Sequence, residues 1–351
     1  LAEPLAGDVA RGGIDLDRID RAETGEHRQI MPGAAANLEN PRLPGQMPLA
    51  RDEIGEDVAA PGGPFGVTRG LLDRFGAERV RDTPISEAAI VGAAVGVAMS
   101  GLKPVVEIMF MDFVTLSMDA LVNQAAKARF MFGGQYALPM VVRLPHGGGI
   151  NAGPQHSQCL EAWLAHVPGL KVVCPATVAD AYALTRAAIT DPDPVIVVEN
   201  KSLYAVKGEL PEPLPNVAIG KADIARPGRD ATIVTYGAMR DISLAAASAL
   251  AKDGIEAEVI DLRSLQPWDE TAVLASLART HRLVIAHEAV EAFGIGAEIA
   301  ARMADIGFDE LDGPIVRVGA PFMPVPFAKE LEARYRPDAT RIADAVRRTL
   351  A

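Results

Sequence analysis

Segments of helical and strand-like character alternate along this chain in two separate blocks. The first block covers residues 85–198 and the second covers residues 231–350, with a proline-rich stretch at residues 209–215 between them. Because strands that alternate with helices form a parallel sheet with helices packed on both faces, the pattern predicts two doubly wound α/β domains. We assign residues 51–207 to the first domain and residues 208–351 to the second.

Hydrophobic periodicity and turn residues divide the two blocks into elements. The predicted strands are residues 105–110, 140–144, 171–174, 195–198, 231–236, 256–261, 282–287 and 315–318. The predicted helices are residues 67–75, 87–99, 116–130, 159–164, 178–190, 242–252, 271–280, 295–303 and 339–350. Residues 1–50 show no sustained periodicity and are rich in Gly, Pro and Arg, which predicts an extended or disordered N-terminal arm.

The composition is typical of a globular α/β protein and disfavours two kinds of partner. Of 351 residues, 49% are hydrophobic and 23% are charged, which suffices for a sizeable core. The net charge is −12 and no basic run occurs, so binding to nucleic acid is not expected. The longest apolar segments, such as residues 88–99, are too short and too glycine-rich to cross a bilayer. No signal-peptide pattern opens the sequence, so we expect a cytoplasmic protein without a membrane partner.

The chain has two cysteines, Cys159 and Cys174. They form no Cys-x-x-Cys pair and show no metal-ligand spacing along the sequence. Buried, small apolar side chains are the simplest interpretation of both, in preference to a disulfide or a nucleophile.

A carboxylate stands at the start of the predicted helix 87–99. Pro84 suits the entry to a helix, Ser86 can cap it, and Glu87 falls in the first turn, where the helix dipole favours a negative charge. Taken alone, this pattern also fits a plain capped helix. The small residues that follow, Gly92 and Gly96 among them, allow another group to approach the helix closely, which favours a functional site.

A glycine-rich loop follows the predicted strand 140–144 and contains His156. Loops at the carboxyl ends of parallel strands are where α/β proteins place their ligands. The glycines could hold a phosphate, although the pattern is neither a Walker loop nor a dinucleotide fingerprint. With a pKa near neutrality, His156 could act as an acid, a base or a charge stabiliser, but a polar surface histidine is an equally simple interpretation.

An aromatic residue, Phe113, follows the predicted strand 105–110. Such residues usually belong to the core, yet a ring at this position could stack on a flat ligand. Glu87, Phe113 and His156 come from successive strand-to-helix connections of one predicted sheet, so they can converge on one cleft.

These motifs resemble the β subunits of the thiamine diphosphate-dependent first component of 2-oxoacid dehydrogenase complexes, including pyruvate and acetoin dehydrogenases. The resemblance covers about residues 54–351. The matching segments are Gly55-Glu56-Asp57-Val58, Thr68-Arg69-Gly70-Leu71, Asp82-Thr83-Pro84-Ile85-Ser86-Glu87, Asn123-Gln124-Ala125-Ala126-Lys127, Gln155-His156-Ser157-Gln158, residues 166–173, residues 259–267 and residues 294–300. It implies a pyrimidine-binding-type domain followed by a transketolase C-terminal-type domain.

The resemblance also implies roles for individual residues. Glu87 matches the glutamate that activates the cofactor by hydrogen bonding to its aminopyrimidine, and Phe113 matches the ring that stacks on that aminopyrimidine. His156 matches the active-site histidine, and Glu56 lies in a matching cofactor-binding segment. A structural potassium ion in relatives is held mostly by backbone carbonyls, at positions that match Ala188, Ile189 and Asp191, although Asp193 stands where relatives often have Asn.

A partner chain is implied by what the sequence lacks. It has no Gly-Asp-Gly followed by paired asparagines, the pattern that holds magnesium and the diphosphate in thiamine enzymes. In the family an α subunit supplies that half-site, in assemblies of two α and two β chains that act with a dihydrolipoamide acyltransferase core. We therefore expect a pyruvate-type dehydrogenase β subunit that acts only with its α subunit. An acetoin-cleaving β subunit, a split transketolase-like or deoxyxylulose-phosphate-synthase-like enzyme, and a non-catalytic scaffold are the alternatives. Residues 1–47 depart from the family pattern.

Overall fold

The computed structural model describes residues 52–351 and contains two β-sheets, each covered by helices. The predicted N-terminal arm, residues 1–50, lies outside the described residues. The fold is that predicted by the alternation of strands and helices: two consecutive parallel-sheet α/β units. No helix within residues 52–351 is long and apolar enough to cross a membrane.

The first sheet has seven strands. Its parallel strands are β1 (Asp52–Gly55), β2 (Val80–Asp82), β3 (Pro104–Glu107), β4 (Val141–His146), β5 (Lys171–Val173) and β6 (Val195–Asn200). With the antiparallel edge strand β10 (Ser264–Gln266), the order is β10-β5-β6-β4-β3-β1-β2. Its helices are α1 (Leu71–Phe75), α2 (Glu87–Met99), α3 (Ala126–Met131), α4 (Glu161–Ala165) and α5 (Val178–Thr190).

The second sheet has five strands in the order β12-β11-β8-β9-β7. Its strands are β7 (Asp223–Arg226), β8 (Ala231–Thr235), β9 (Ala257–Asp261), β11 (Leu283–Val290) and β12 (Val316–Ala320), of which only β7 is antiparallel to its neighbour. The accompanying helices are α6 (Met239–Lys252), α7 (Glu270–Thr280), α8 (Ile295–Ile306), α9 (Lys329–Tyr335) and α10 (Ala339–Leu350).

The central strands of both sheets are buried at every position, as expected for parallel strands covered on both faces. One apolar cluster runs from α2 and the first sheet into the second sheet and α8, so the two units share a core. Strand β10 (Ser264–Gln266) adds to this connection, because it follows β9 in sequence but pairs antiparallel with β5 at the edge of the first sheet.

Two predicted helices differ in detail from the structure. The predicted helix 116–130 is a 3-10 helix at Met111–Ser117, a π-helix at Asp119–Ala125 and then α3. The predicted helix 67–75 starts only at Leu71, because Gly70 has a φ of 83°, which a continuous right-handed helix does not accommodate. The short strands β1, β2, β7 and β10 and helix α9 were not predicted, since fewer than eight residues carry little periodicity.

Candidate functional site

The candidate site lies where neighbouring strands of the first sheet end. Glu56 follows β1, Glu87 follows β2, Phe113 follows β3 and His156 follows β4. These four strands are parallel and adjacent in the sheet, so their carboxyl ends meet at one edge. The structure therefore places all four candidate residues on loops and helix starts along the edge where α/β proteins bind ligands.

Glu87 is the first residue of α2 and is only 9% exposed. Its carboxylate has no hydrogen-bond or salt-bridge partner among residues 52–351, and Ser86, which precedes the helix, makes no side-chain cap. The predicted Ser86 cap is therefore wrong: its φ of −163° and ψ of 81° do not turn its hydroxyl onto the helix. The N-terminus of α2 is left with a nearly buried carboxylate available to a ligand.

Glu56 is an acidic residue near Glu87. Partial burial, together with the negative charges of Asp57 and Glu87, raises the pKa of the Glu56 carboxyl group. Glu56 and Glu87 are thus close enough for their charges to interact.

Phe113 belongs to a cluster of rings around His156. The Phe113 and His156 rings are 5.4 Å apart between centroids and meet edge to face at 86°. The Phe110 ring is closer, at 4.8 Å from His156 and 77° to it. Phe110 also contacts Phe113 at 6.4 Å. The half-buried His156 imidazole is thus oriented by two aromatic edges.

Lys201 holds the backbone of the His156 loop from the end of β6. Its ammonium group donates a hydrogen bond to the His156 carbonyl oxygen and lies 4.9 Å from the Phe110 ring centroid. Burial lowers the pKa of Lys201. Sequence reasoning missed both Lys201 and Phe110, because they lie 45 and 46 residues from His156 and only the fold brings them to it.

Carboxylates of the second unit hold the backbone N–H groups of the glycine-rich loop. Gly148 donates to Glu288 at 2.8 Å, while Gly149 and Asn151 donate to the two oxygens of Glu332 at 2.9 and 3.0 Å. A phosphate-binding loop needs these same donors free, so the suggestion that the glycines hold a phosphate is wrong for Gly148 and Gly149. The loop instead ties His156 to the second unit.

The glycines permit this close packing. Gly147 has a φ of +85°, and a Cβ there would lie 2.6 Å from the Asn200 amide nitrogen. Asn200 in turn donates to Glu288 at 2.8 Å. A side chain at position 147 would displace the group that orients Glu288.

A buried cation, Arg143, connects the strands beneath the site. It is fully buried and makes two hydrogen bonds with Glu199, at 3.0 and 2.8 Å, and a further one with Glu107. Glu53 lies 3.5 Å away, and the Tyr204 hydroxyl donates to Glu199 at 2.7 Å. Burial lowers the pKa of Arg143, but the surrounding carboxylates outweigh it, and the net pKa is well above its ordinary value.

The residues suggested for potassium lie at the end of α5. Ala188 and Ile189 are buried, and the Asp191 backbone N–H donates to the Ala188 carbonyl at 3.3 Å. The Asp191 carboxylate is paired with Lys171 at 2.6 Å, which also lies 3.2 Å from Asp193. Since Lys171 already neutralises these carboxylates, a cation at this place would depend on backbone oxygens.

The chain has two consecutive parallel-sheet units, and each of them matches a transketolase family description. The family description "Transketolase, pyrimidine binding domain" matches residues 53–207, and "Transketolase, C-terminal domain" matches residues 220–342. A solved structure titled "Split gene transketolase, inactive beta4 tetramer" has a TM-score of 0.72 and covers 91% of this chain and 95% of its own. At 23% identity this likeness shows the fold.

Relatives of higher sequence identity show which kinds of transketolase-like protein this chain resembles in sequence. The chain is 46% identical to the Acetoin:2,6-dichlorophenolindophenol oxidoreductase subunit beta of Bacillus subtilis, covering 85% of this chain and 92% of that one. It is 46% identical to the protein of the same name from Cupriavidus necator, covering 90% and 95%. It is 44% identical to the mitochondrial Pyruvate dehydrogenase E1 component subunit beta-2 of Oryza sativa subsp. japonica, covering 84% and 80%. The chain belongs to this family of transketolase-like dehydrogenase β subunits.

Proposed function

We propose that this chain is the β subunit of a thiamine diphosphate-dependent 2-oxoacid dehydrogenase of the pyruvate type. The observation that carries the proposal is Glu87, a nearly buried carboxylate at a helix start without a partner among residues 52–351. A buried ionisable group without a partner is costly unless a ligand completes it. The family membership of the chain and the position of Glu87 support an aminopyrimidine as that ligand.

The residues of this chain fit one half of the cofactor. Thiamine diphosphate, when bound, supplies an acidic carbon whose carbanion can attack a carbonyl group. Glu87 would accept a proton from the aminopyrimidine or share one with it, and Glu56 would add negative charge beside it. Phe113 presents a half-buried ring to a flat heterocycle.

His156 would act on the substrate side of the site. Its imidazole is half-buried, its ring is held between Phe110 and Phe113, and its backbone is held by Lys201. A histidine positioned in this way can donate a proton to a substrate oxygen or stabilise negative charge there. Oxidative decarboxylation would then end with transfer of the acyl group to a lipoyl disulfide on an acyltransferase core.

The other half of the site would come from an α subunit, in an assembly of two α and two β chains. The α subunit would hold the diphosphate through magnesium. Helix α2 supports this assembly, because it exposes small residues next to the site and has no charged residue after Glu87. The exposed small residues are Ala88, Ala89, Gly92, Ala93 and Gly96. A helix that is apolar on all faces is normally buried in an assembly.

Two further features belong to the same proposal. Backbone oxygens of Ala188, Ile189 and Asp191 would hold a structural potassium ion at the end of α5. The unpaired thiols of Cys159 and Cys174 support a reducing compartment, and we place the enzyme in the cytoplasm.

Substitution of Glu87 tests the central claim. Glu87→Gln keeps the size of the side chain but removes its proton affinity, so we expect loss of turnover with unchanged assembly with the α subunit. Glu78→Gln, at a side chain that is 94% exposed, serves as the matched control and should leave turnover unchanged. Turnover is measured by reduction of 2,6-dichlorophenolindophenol after co-expression with the α subunit. A fully active Glu87→Gln complex would refute the assigned role.

Cofactor titration tests the shared site. Thiamine diphosphate and magnesium are added to the chain alone and to the co-expressed pair, and binding is followed by calorimetry. We expect tight binding only to the pair, since this chain lacks the diphosphate half-site. Equal affinity of the lone chain would contradict the proposal.

Cleavage of acetoin is the second candidate function. It is favoured by the two acetoin oxidoreductase β subunits among the relatives, which match at 46% identity over nearly their whole length. The reconstituted pair is assayed with pyruvate, branched 2-oxo acids and acetoin at equal concentrations. The substrate with the highest kcat/KM decides between the candidates, and absence of turnover with all of them would favour a non-catalytic scaffold.

A further inference from the structure

Three side chains that can bind a metal meet beneath the glycine-rich loop. His146 is the last residue of β4, Cys159 follows the loop, and Glu161 is the first residue of α4. One ligand atom from each of them lies within 4.8 Å of the other two. The three residues are spread over 16 positions of the chain, so their meeting depends on the return of the loop to the end of β4.

The polar atoms of this cluster are buried without partners. His146 is 2% exposed and Glu161 is fully buried. Within residues 52–351, neither ring nitrogen of His146 has a hydrogen-bond partner, nor does the Oε2 atom of Glu161. The His146 Nδ1 and Glu161 Oε2 atoms are 3.6 Å apart, too far for a hydrogen bond. Burying these atoms unsatisfied is unfavourable, so a group that contacts all of them would stabilise the cluster.

We propose that His146, Cys159 and Glu161 form a binding site for a zinc-class divalent cation. Imidazole, thiolate and carboxylate are the ligand types that zinc binds in proteins, and three protein ligands leave a fourth position for water. This site goes beyond the proposed dehydrogenase function and does not depend on it.

The three ligand atoms would have to move only slightly closer together to bind zinc. Zinc lies about 2.0–2.3 Å from nitrogen, oxygen and sulfur ligands, so tetrahedral ligands are separated by roughly 3.3–3.7 Å. The His146 and Glu161 atoms already have this spacing, at 3.6 Å. Cys159 lies on a loop and is the ligand that would move inward, from a separation within 4.8 Å.

The surroundings orient the ligands and attract a cation. The Tyr236 hydroxyl donates a hydrogen bond of 2.7 Å to the Oε1 atom of Glu161, which leaves Oε2 turned towards the cluster. Hydrogen bonds of this kind fix ligand geometry in metal sites. Glu288 lies near Cys159 but is paired with Arg336 at 2.9 Å. Lys201 is also near Cys159, so Glu161 supplies the negative charge that attracts a cation. Cys159 and Glu288 also line a cavity of about 500 Å³, which provides an entry path.

Binding would displace the Cys159 proton, although burial and the nearby Glu161 raise the pKa of this thiol well above its ordinary value. The Cys159 thiol loses its proton to solvent as sulfur bonds to the metal, while His146 binds through a neutral nitrogen and Glu161 as a carboxylate. No electron is transferred, because zinc is not redox-active. The metal would bridge β4, the loop and α4, and Tyr236 would connect it to the second unit.

Cobalt(II) serves as the optical probe for the test. The full chain is treated with a chelator and dialysed, and Co²⁺ is then added. A thiolate-to-cobalt absorption band in the near ultraviolet, one equivalent per chain and displaced by Zn²⁺, is expected. Cys159→Ser should abolish the band, while Cys174→Ala, which removes the other free thiol, should keep it. Tyr236→Phe should weaken binding by about 10–100-fold, the effect of losing a hydrogen bond to a metal ligand.

A second measurement uses the wild-type chain, so it does not depend on the folding of a variant. Alkylation of the wild-type chain is followed by mass spectrometry of the Cys159 peptide, with and without Zn²⁺. Protection of Cys159 by one equivalent of Zn²⁺ supports the site. A missing band, a band that survives in Cys159→Ser, or alkylation that Zn²⁺ leaves unchanged would overturn it. Because neither readout uses turnover, failure here leaves the dehydrogenase proposal standing.

Discussion

The backbone N–H of Gly148 donates a hydrogen bond of 2.8 Å to the carboxylate of Glu288, 140 residues further along the chain. Glu288 also accepts from Arg336 at 2.9 Å and from Asn200 at 2.8 Å. The loop that carries His156 is therefore held from the second unit. A change in the packing of the second unit is therefore expected to shift the loop that carries His156.

Removing Glu332 should loosen this connection. Glu332→Ala leaves the N–H groups of Gly149 and Asn151 without their acceptors, at a cost of about 1–3 kcal/mol in the free energy of unfolding. We expect a lower unfolding midpoint in urea and reduced turnover of the assembled enzyme, because His156 lies on the same loop. Glu330→Ala removes an exposed carboxylate from the same helix and is the control. Equal effects of the two variants would contradict the role of Glu332.

Arg143 should be among the most sensitive positions for stability. Arg143→Met leaves the carboxylates of Glu107 and Glu199 buried without their shared cation, and breaking a buried ion pair costs about 3–5 kcal/mol. Urea unfolding followed by circular dichroism measures the loss. Arg129→Met removes an arginine whose side chain is 46% exposed and paired with Asp193, and it should change the midpoint little. A stable Arg143→Met variant would show that the carboxylates take up protons instead.

Lys201 should affect turnover more than stability. Lys201→Met keeps a long apolar stem but removes the donor to the His156 carbonyl, so we expect kcat to fall by about 10–100-fold, the equivalent of a charged hydrogen bond. The melting temperature should hold or rise, because a buried ammonium group is no longer desolvated. Lys221→Met, at a side chain that is 66% exposed, is the control. A parallel loss of stability and kcat would indicate a merely structural role.

The parts of the fold that were predictable are those with a strong local signal. Strands β4 and β6 contain runs such as Val195 to Val198 bounded by turn residues, and these runs identify a strand buried on both faces. Strand β10 has only three residues and is defined by its pairing with β5, about 90 positions earlier, which no local pattern encodes. The break in the predicted helix 116–130 is equally non-local, since its π-turn residues have ordinary helix propensities.

For the site, sequence reasoning found residues that follow strands within recognisable motifs. Glu87, Phe113 and His156 were named in this way, and the structure places them on one edge of one sheet. Their roles stay predictions. Lys201 and Glu332 were not named, because each acts through a backbone group that is distant in sequence. A charged residue inside an apolar strand, such as Arg143, was a usable signal for a buried ion pair.

Asp261 should make stability depend on pH. Its buried carboxyl group, with the negative charge of Asp180 nearby, has a pKa raised from 3.8 to about 8, although the Arg263 backbone N–H donates to it at 3.1 Å. Between about pH 4 and pH 8, the Asp261 carboxyl group is therefore protonated in the folded chain and ionised in the unfolded chain. The contribution of protonated Asp261 to the free energy of unfolding is fully present below pH 3.8 and is lost as the pH rises through about 8. Asp261→Asn should remove it.

Denaturation in urea as a function of pH measures this effect. The difference in unfolding free energy between Asp261→Asn and the wild type should grow in favour of the variant from about pH 4 to pH 8 and then level off. Asparagine can still accept the Arg263 N–H, so the local hydrogen bond is kept. Asp241→Asn, at a side chain that is 61% exposed, should parallel the wild type across the range. A difference that is constant with pH would show that Asp261 is ionised throughout and that Arg240 and Arg263 compensate its charge.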